Sequence, residues 1–313
     1  MINKPLVSII MPVYNAAQYV GDALKSITNG TYKNIEIICI NDGSTDNSLK
    51  VLRDAAGLDP RIKVFNQENC GIVKTLNKAI DLANGDYIAR MDADDICEPD
   101  RIELQLKLAI HSSADIISSS RKTFGSKTVL HETPTSHEEI IISLAIQNTI
   151  THPTVFCKQE VLKNNKYSEN HQYAEDYELW TRLAQNGYKF AGIKKSLLNY
   201  RLHANQVSKI HQKKQQEIDT EIKINHIKWL SININSIDKS TSKGVIFLES
   251  YKLYKRLDRK SLNLNYNAFH MLAKFYCQDL KNLNDKVIRF TVMLASFSAF
   301  KLSSITSFQS GAE

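Results

Sequence analysis

The 313-residue sequence contains no cysteines spaced C-x-x-C; its five, at 39, 70, 97, 157 and 277, are scattered and odd in number. That excludes a disulfide framework and a cysteine zinc site, and fits reduced thiols in a cytosolic protein. No apolar run approaches bilayer-spanning length, and the run from Leu6 to Met11 is stopped by Pro12. The start, Met1-Ile2-Asn3-Lys4-Pro5, does not read as a signal peptide. Also missing are the Gly-x-x-x-x-Gly-Lys-Ser/Thr loop, the Gly-x-Gly-x-x-Gly loop and the Gly-x-Ser-x-Gly elbow, so P-loop, dinucleotide-type and serine-hydrolase chemistries find no support.

The charge that is present is unevenly placed. The net charge is +7, but residues 1–208 carry 23 basic and 24 acidic side chains, while residues 209–313 carry 17 and 9. The basic excess points to an anionic partner in the last third, either a membrane surface or a phosphate-bearing ligand. No nucleic-acid module or aromatic/basic interleaving accompanies it, so nucleic acid is not an expected partner.

Apolar runs and turn residues alternate through the first hundred residues. Leu6 to Ile10 reads as a strand buried on both faces, and Asn15 can cap a helix with Val20, Leu24 and Ile27 inward. Strands at 35–40, 62–65 and 86–91 alternate with helices at 48–56 and 71–83. This predicts an α/β fold with a mostly parallel sheet flanked by helices. Ligands in such sheets bind beyond the strands' carboxyl ends, where Tyr14-Asn15, Asp42 and Asp92-Asp94 all fall.

Residues 99–111 carry conflicting signals, an alternation of Ile102, Leu104, Leu106 and Leu108 against strong helix formers after Pro99; the latter predict a helix with Pro99 at its first position. A strand at 115–120 follows. Ser136-His137-Glu138-Glu139 is a capping box opening a helix to about Gln147. Further elements are a short helix at 159–164, a helix opening at Ala174-Glu175-Asp176 and closed by Gly187, and strands at 188–193 and 197–202. The catalytic domain is thus expected at 1–208. Residues 209–313 read as a mainly helical region, with Ile218, Ile222 and Trp229 on helical spacing, a polar linker at 233–243, and amphipathic helices at 244–257, 266–281 and 285–300.

The chemistry is concentrated in Arg90-Met91-Asp92-Ala93-Asp94-Asp95. Three close carboxylates repel one another unless a cation compensates, and an oxygen-only set suits Mg²⁺ or Mn²⁺ better than Zn²⁺. The stretch reads equally as a solvated acidic turn capping the next helix. A second pair, Glu175-Asp176, lies at a helix start, where it is either a cap or a proton acceptor whose basicity requires partial burial. His203 follows a predicted strand and is either structural or part of a metal site.

Seven segments in register resemble the family 2 glycosyltransferases of the GT-A fold. They are Val7-Ser8-Ile9-Ile10-Met11-Pro12-Val13-Tyr14-Asn15; Asn41-Asp42-Gly43-Ser44-Thr45-Asp46; Glu68-Asn69-Cys70-Gly71 with Asn77; Arg90 to Asp95; His152-Pro153-Thr154; Ala174 to Trp180; and Arg201-Leu202-His203 through Ser208. The resemblance covers about residues 5–210. It implies that Pro12, Tyr14, Asn15 and Asp42 hold the nucleotide of a sugar donor, with Asp42 accepting from the base N–H, and that Asp92 contacts the ribose side. Asp94, with His203, would ligate Mg²⁺ or Mn²⁺; Asp176 would be the base of an inverting displacement, supported by Glu175 and Arg90. It further implies a UDP-hexose donor, with a thymidine diphosphate sugar as the alternative, and a glycan acceptor on a lipid diphosphate, in bacterial surface-polysaccharide synthesis by a cytoplasmic enzyme peripheral at the membrane's inner face. A protein or soluble acceptor, and a non-catalytic nucleotide- or glycan-binding subunit, are the alternatives.

Overall fold

The computed structural model describes residues 4–145, 147–203 and 212–233. Strands β1 (Val7–Val13), β2 (Ile35–Asp42), β3 (Ile62–Gln67) and β4 (Tyr87–Arg90) alternate with helices α1 (Val20–Thr28), α2 (Ser48–Leu58) and α3 (Ile72–Leu82). The four strands are parallel in the order β3-β2-β1-β4, as the alternation predicts. Every residue of β1 and β2 is buried, which is why Leu6 to Ile10 reads as a continuous apolar run; in β2 the burial extends to Glu36, Asn41 and Asp42.

Beyond β4 the direction becomes mixed. Strand β8 (Phe156–Lys158) is antiparallel to both β4 and β6 (Ile116–Gly125), and β6 pairs in parallel with β9 (Phe190–Leu202). The two-residue strand β5 (Ile96–Cys97) closes that edge against β9, and β7 (Leu130–His131) pairs with β6. The two strands expected at 188–193 and 197–202 are one. From Ser119 to Ser120 on β6 the paired residue on β9 jumps from Ile193 to Ser196, so an irregularity at Lys194-Lys195 interrupts the apolar pattern.

The helices of this half are α4 (Arg101–His111), α5 (His137–Ser143), α6 (Gln159–Asn164), α7 (Glu175–Gln185) and α8 (Gln212–Asn233). Residues 101–111 are helical. Arg101 and Gln105 occupy core positions beside Ile102, Leu106 and Ala109, which disguises the helical period. Pro99 is not the first helical residue as expected: the helix begins at Arg101, after Asp100. The Ser136/Glu139 capping box forms with both bonds, although α5 ends at Ser143. Asn15 does not cap α1, which begins at Val20.

Residues 1–226 form one compact unit and 227–313 another. The first runs past the composition change near Ser208, because α8 buries Ile222 and His226, whose Nε2 meets the Ile141 carbonyl at 2.8 Å. Asn233, expected to open the linker at 233–243, is the last residue of α8; the rest of that linker and the helices expected beyond it lie outside the described residues.

Candidate functional site

Three loops meet at the carboxyl ends of β1, β2 and β4. After the buried Pro12, Tyr14 is 54% exposed and Asn15 takes φ +48°, a left-handed conformation that Asn tolerates. Asn15 Oδ1 accepts from Thr45 N at 2.8 Å, and its own N–H donates to Ser44 Oγ at 3.0 Å. Ala17 N donates to Asp46 Oδ2 at 3.0 Å. The Tyr14-Asn15 and Gly43–Asp46 segments are therefore one tied structure, and Asp42 stands at the end of β2 beneath it.

Asp42 is 4% exposed, and its carboxylate is already engaged. Oδ1 accepts from Gln67 Nε2 at 2.8 Å and Cys70 N at 2.9 Å, and Oδ2 accepts from Gly71 N at 3.0 Å. Burial alone would raise its pKa; these bonds outweigh burial and hold it below the ordinary Asp value. Asp42 thus anchors the Gln67–Gly71 loop, a role the sequence does not announce.

At the end of β4, Asp92, Asp94 and Asp95 bring one carboxylate oxygen each within 4.8 Å of one another. Arg90 is 5% exposed, and its Nη1 lies 2.5 Å from Asp92 Oδ2. His203 Nε2 stands 2.8 Å from Asp94 Oδ2, and its ring stacks on Tyr19 at 5.1 Å. Asp95 does not cap the following helix. It is 1% exposed, Oδ1 accepts from Arg201 N at 2.9 Å, and Oδ2 has no hydrogen-bond partner among the described residues. Burial and the neighbouring Asp92 and Asp94 hold its carboxyl well above the usual range. Burial also raises Asp92, with Arg90 offsetting only part of the effect. A solvated turn would show none of this.

The donor set passes a physical test for a divalent cation. Three close carboxylates, one with a buried partnerless oxygen, and an imidazole facing Asp94 are hard oxygen and nitrogen ligands, as Mg²⁺ or Mn²⁺ prefer. Arg201 completes the wall: its Nε donates to the Asp94 carbonyl at 2.8 Å, and its guanidinium covers the Tyr19 and Phe124 rings at 4.8 and 4.6 Å. Arg201 is present in the motif, but nothing in its spacing shows that it grips the acidic loop.

Glu175 and Asp176 open α7 directly after Tyr173, whose φ of +80° is strained for an aromatic residue. Asp176 is half-buried; Oδ2 accepts from Asn148 Nδ2 at 2.8 Å and Oδ1 from Tyr177 N at 2.7 Å. Burial raises its pKa and those bonds offset only part of the rise, so the helix start does not leave it a weak base. Glu175 is 8% exposed and is pushed up to about 7 by burial and by Asp176. Asn148 carries no sequence signal of its role.

Arg90 joins the two acidic groups. Its positive charge favours the ionised forms of Asp92 and Asp95 on one side and of Glu175 and Asp176 on the other. The layer between them is continuous. Arg90 N donates to the Val155 carbonyl at 2.9 Å, His152 Nε2 meets the Tyr167 hydroxyl at 2.8 Å, and the His152 ring stands edge-on to Trp180 of α7 at 6.0 Å. Burial and Arg90 hold His152 well below its ordinary pKa, so it is neutral at pH 7. The structure therefore brings Arg90, Asp92, Asp94, His203, Glu175 and Asp176 into one electrostatic unit, with Pro12, Tyr14, Asn15 and Asp42 on the neighbouring strand ends.

Comparison with known proteins agrees. Residues 8–164 match the family model "Glycosyl transferase family 2". An uncharacterized glycosyltransferase of Haemophilus influenzae is 34% identical over 88% of this chain and 89% of its own. Chondroitin synthase of Pasteurella multocida is 29% identical over 81% of this chain and 27% of its own length. Among solved structures, Staphylococcus aureus TarS in complex with UDP-GlcNAc matches with a TM-score of 0.61, 16% identity, and 97% and 92% coverage of the two chains. The mannosyltransferase PcManGT from Pyrobaculum calidifontis, in complex with GDP-Man and Mn²⁺, matches with a TM-score of 0.55, 16% identity, and 99% and 89% coverage. At these identities the structures speak for the fold alone, of GT-A type, while the family model and the Haemophilus relative establish kinship: the chain belongs to glycosyl transferase family 2, and it is a glycosyltransferase.

Proposed function

We propose that the enzyme transfers a hexose from a UDP-linked donor to a hydroxyl of a growing glycan, inverting the anomeric configuration. The observation that supports this best is the single unit formed by the acidic group at the end of β4 and Asp176 at the start of α7, with Arg90 between them. A relative named for chondroitin synthesis and a fold neighbour bound to UDP-GlcNAc favour that donor and acceptor class.

In this reading Pro12, Tyr14, Asn15 and the loop anchored by Asp42 hold the nucleotide, and Asp92 contacts the ribose side. Asp94 with His203 would hold Mg²⁺ or Mn²⁺, which when bound neutralises diphosphate charge. Asp176 takes the proton of the acceptor hydroxyl as its oxygen bonds to the anomeric carbon. The bond from that carbon to the diphosphate oxygen breaks on the opposite face, and the nucleoside diphosphate leaves. Asn148 and the Tyr177 N–H fix the carboxylate so that its remaining lone pairs face the acceptor.

The acceptor in this reading is a lipid-diphosphate-linked glycan of a bacterial surface polysaccharide, met at the cytoplasmic membrane face. The +8 balance of residues 209–313 suits such an anionic surface. Among the described residues no helix is long and apolar enough to cross a membrane.

The test is a panel of nucleotide sugars read by protection against thermal unfolding, with Mn²⁺ or EDTA, followed by transfer assays. Protection by UDP-hexoses that requires Mn²⁺ and is lost in Asp94→Ala is expected. Asp176→Asn should retain that protection and lose about 10²–10⁴-fold in transfer rate. Wild-type turnover by Asp176→Asn, or metal-independent protection, would refute the assignments.

A further inference from the structure

Arg101, the first residue of α4, is 1% exposed, and Gln105, one turn later, is 0% exposed. Among the described residues the Arg101 guanidinium bonds only to neutral groups. Its Nη2 donates to the Arg90 carbonyl at 2.8 Å and reaches the Val155 carbonyl at 3.5 Å, Nη1 lies 3.4 Å from Met91 Sδ, and Nε donates to Gln105 Oε1 at 3.0 Å. The neighbouring Cys97 thiol stays protonated, because burial raises its pKa. A guanidinium desolvated without a carboxylate is costly, and an apolar side chain of similar volume would pack there without that penalty. What an apolar side chain cannot do is bridge.

The bridge continues from Gln105, whose Nε2 donates to the Thr154 carbonyl at 2.7 Å. Thr154 closes the turn His152–Thr154, its Oγ1 donating to the Thr151 carbonyl at 2.8 Å. One peptide link back, Ile150 N donates to Asn148 Oδ1 at 3.2 Å, and Asn148 Nδ2 donates to Asp176 Oδ2 at 2.8 Å. A continuous line thus runs from the Arg90 carbonyl, where the acidic stretch begins, to the Asp176 carboxylate.

We infer that Arg101 and Gln105 are positioning residues for the transfer: they fix the 148–154 segment against the end of β4, and so set Asp176 at its working distance from the acidic group. This rests on Asp176 as the proton acceptor. The role needs both members of the pair. Arg101 holds the β4 end, and the Gln105 amide, able to accept from Nε and donate to Thr154 at once, carries the link onward. Displacements are sensitive to such placement, since a shift of about 1 Å caused far from the chemistry costs about a hundredfold in rate.

Gln105→Glu separates the link from the packing. The shape is kept and Arg101 gains a charged acceptor, but a carboxylate cannot donate to the Thr154 carbonyl. The test follows UDP release from UDP-glucose and UDP-N-acetylglucosamine by the full chain with Mn²⁺ and water as acceptor, with UDP affinity measured by calorimetry. Gln105→Glu should keep UDP affinity and KM within about twofold of the wild type and lose about 10- to 100-fold in kcat. Asn148→Ala, which cuts the line at its far end, should lose at least as much, and the double variant no more than Asn148→Ala alone, because both act through one contact. Arg101→Lys, which keeps the charge but not the planar fork, should repeat the kcat loss, and serves if Gln105→Glu does not fold. An unchanged kcat in folded Gln105→Glu, a loss carried by KM and UDP affinity, or losses that multiply in the double variant would overturn the positioning role. Wild-type turnover by Asp176→Asn would instead overturn the base reading beneath it, and a wild type that releases no UDP from either sugar would overturn the donor reading.

Discussion

Glu175 makes a sharp thermodynamic prediction that needs no substrate. Its carboxyl is pushed up to about 7 in the folded chain, by burial first and by Asp176 second, against 4.5 for an unperturbed Glu. Between those pH values the folded state binds the extra proton and the unfolded state does not. Stability therefore falls as pH rises through the window and levels off above about 7. At 1.36 kcal/mol per unit, the shift amounts to about 3 kcal/mol. Glu175→Gln keeps the shape and cannot ionise, so it should track the wild type near pH 4.5 and exceed it by about 3 kcal/mol at pH 8. In a unit of this size that is roughly 6–12 °C in midpoint. Urea titrations of both proteins across pH 4.5 to 8, with EDTA present, measure the difference. Stability curves that stay parallel through the window would show that Glu175 is not a buried, charge-stressed acid.

Two further predictions concern other surfaces. Asp42→Ala strips the acceptors of the Cys70 and Gly71 N–H groups and of Gln67, so it should cost about 2 kcal/mol or more and weaken UDP and GDP binding alike; a loss confined to UDP, with stability intact, would mean that Asp42 reads the base instead. Because its folded pKa is depressed, its contribution is present above the ordinary Asp range and lost as pH falls below it. The full chain should sediment with anionic vesicles and be released at about 0.5 M salt, where screening falls to roughly 4 Å; equal sedimentation with neutral vesicles, or none with anionic ones, would refute the membrane role of the basic C-terminal third.

The parallel half of the fold is legible because its local signals agree. β1 and β2 are buried along their whole length and are mostly apolar, and Gly85 after α3 marks a place where a Cβ would meet the Leu6 carbonyl at 2.7 Å. Legibility fails where long-range contacts decide. Arg101 is fully buried because Gln105 and the Arg90 carbonyl receive it, at 3.0 and 2.8 Å, and no helical-face rule places an arginine there. Asn15 reads as a cap, yet its side chain serves Thr45, thirty residues away. The acidic stretch is legible as an anomaly of composition; that Asp95 is its buried member follows only from β9 returning to place Arg201 N against it.

What converts two acidic groups into one site is a single guanidinium, and physics argues that it is kept for function. A buried ion pair such as Arg90–Asp92 is weak evidence for stability, since desolvation consumes much of its Coulomb energy. Here the desolvated charge also faces Glu175 and Asp176, carboxylates that burial would otherwise drive further toward the neutral form. Without Arg90, Asp176 would be protonated over more of the pH range and the acidic group at the end of β4 would repel itself more strongly. A neutral residue of similar volume would satisfy the core and lose both effects. In the proposed reaction, which takes a proton on one side of a sugar and releases a diphosphate on the other, Arg90 is the charge that lets Asp176 and the acidic, cation-fitting cluster share one buried layer.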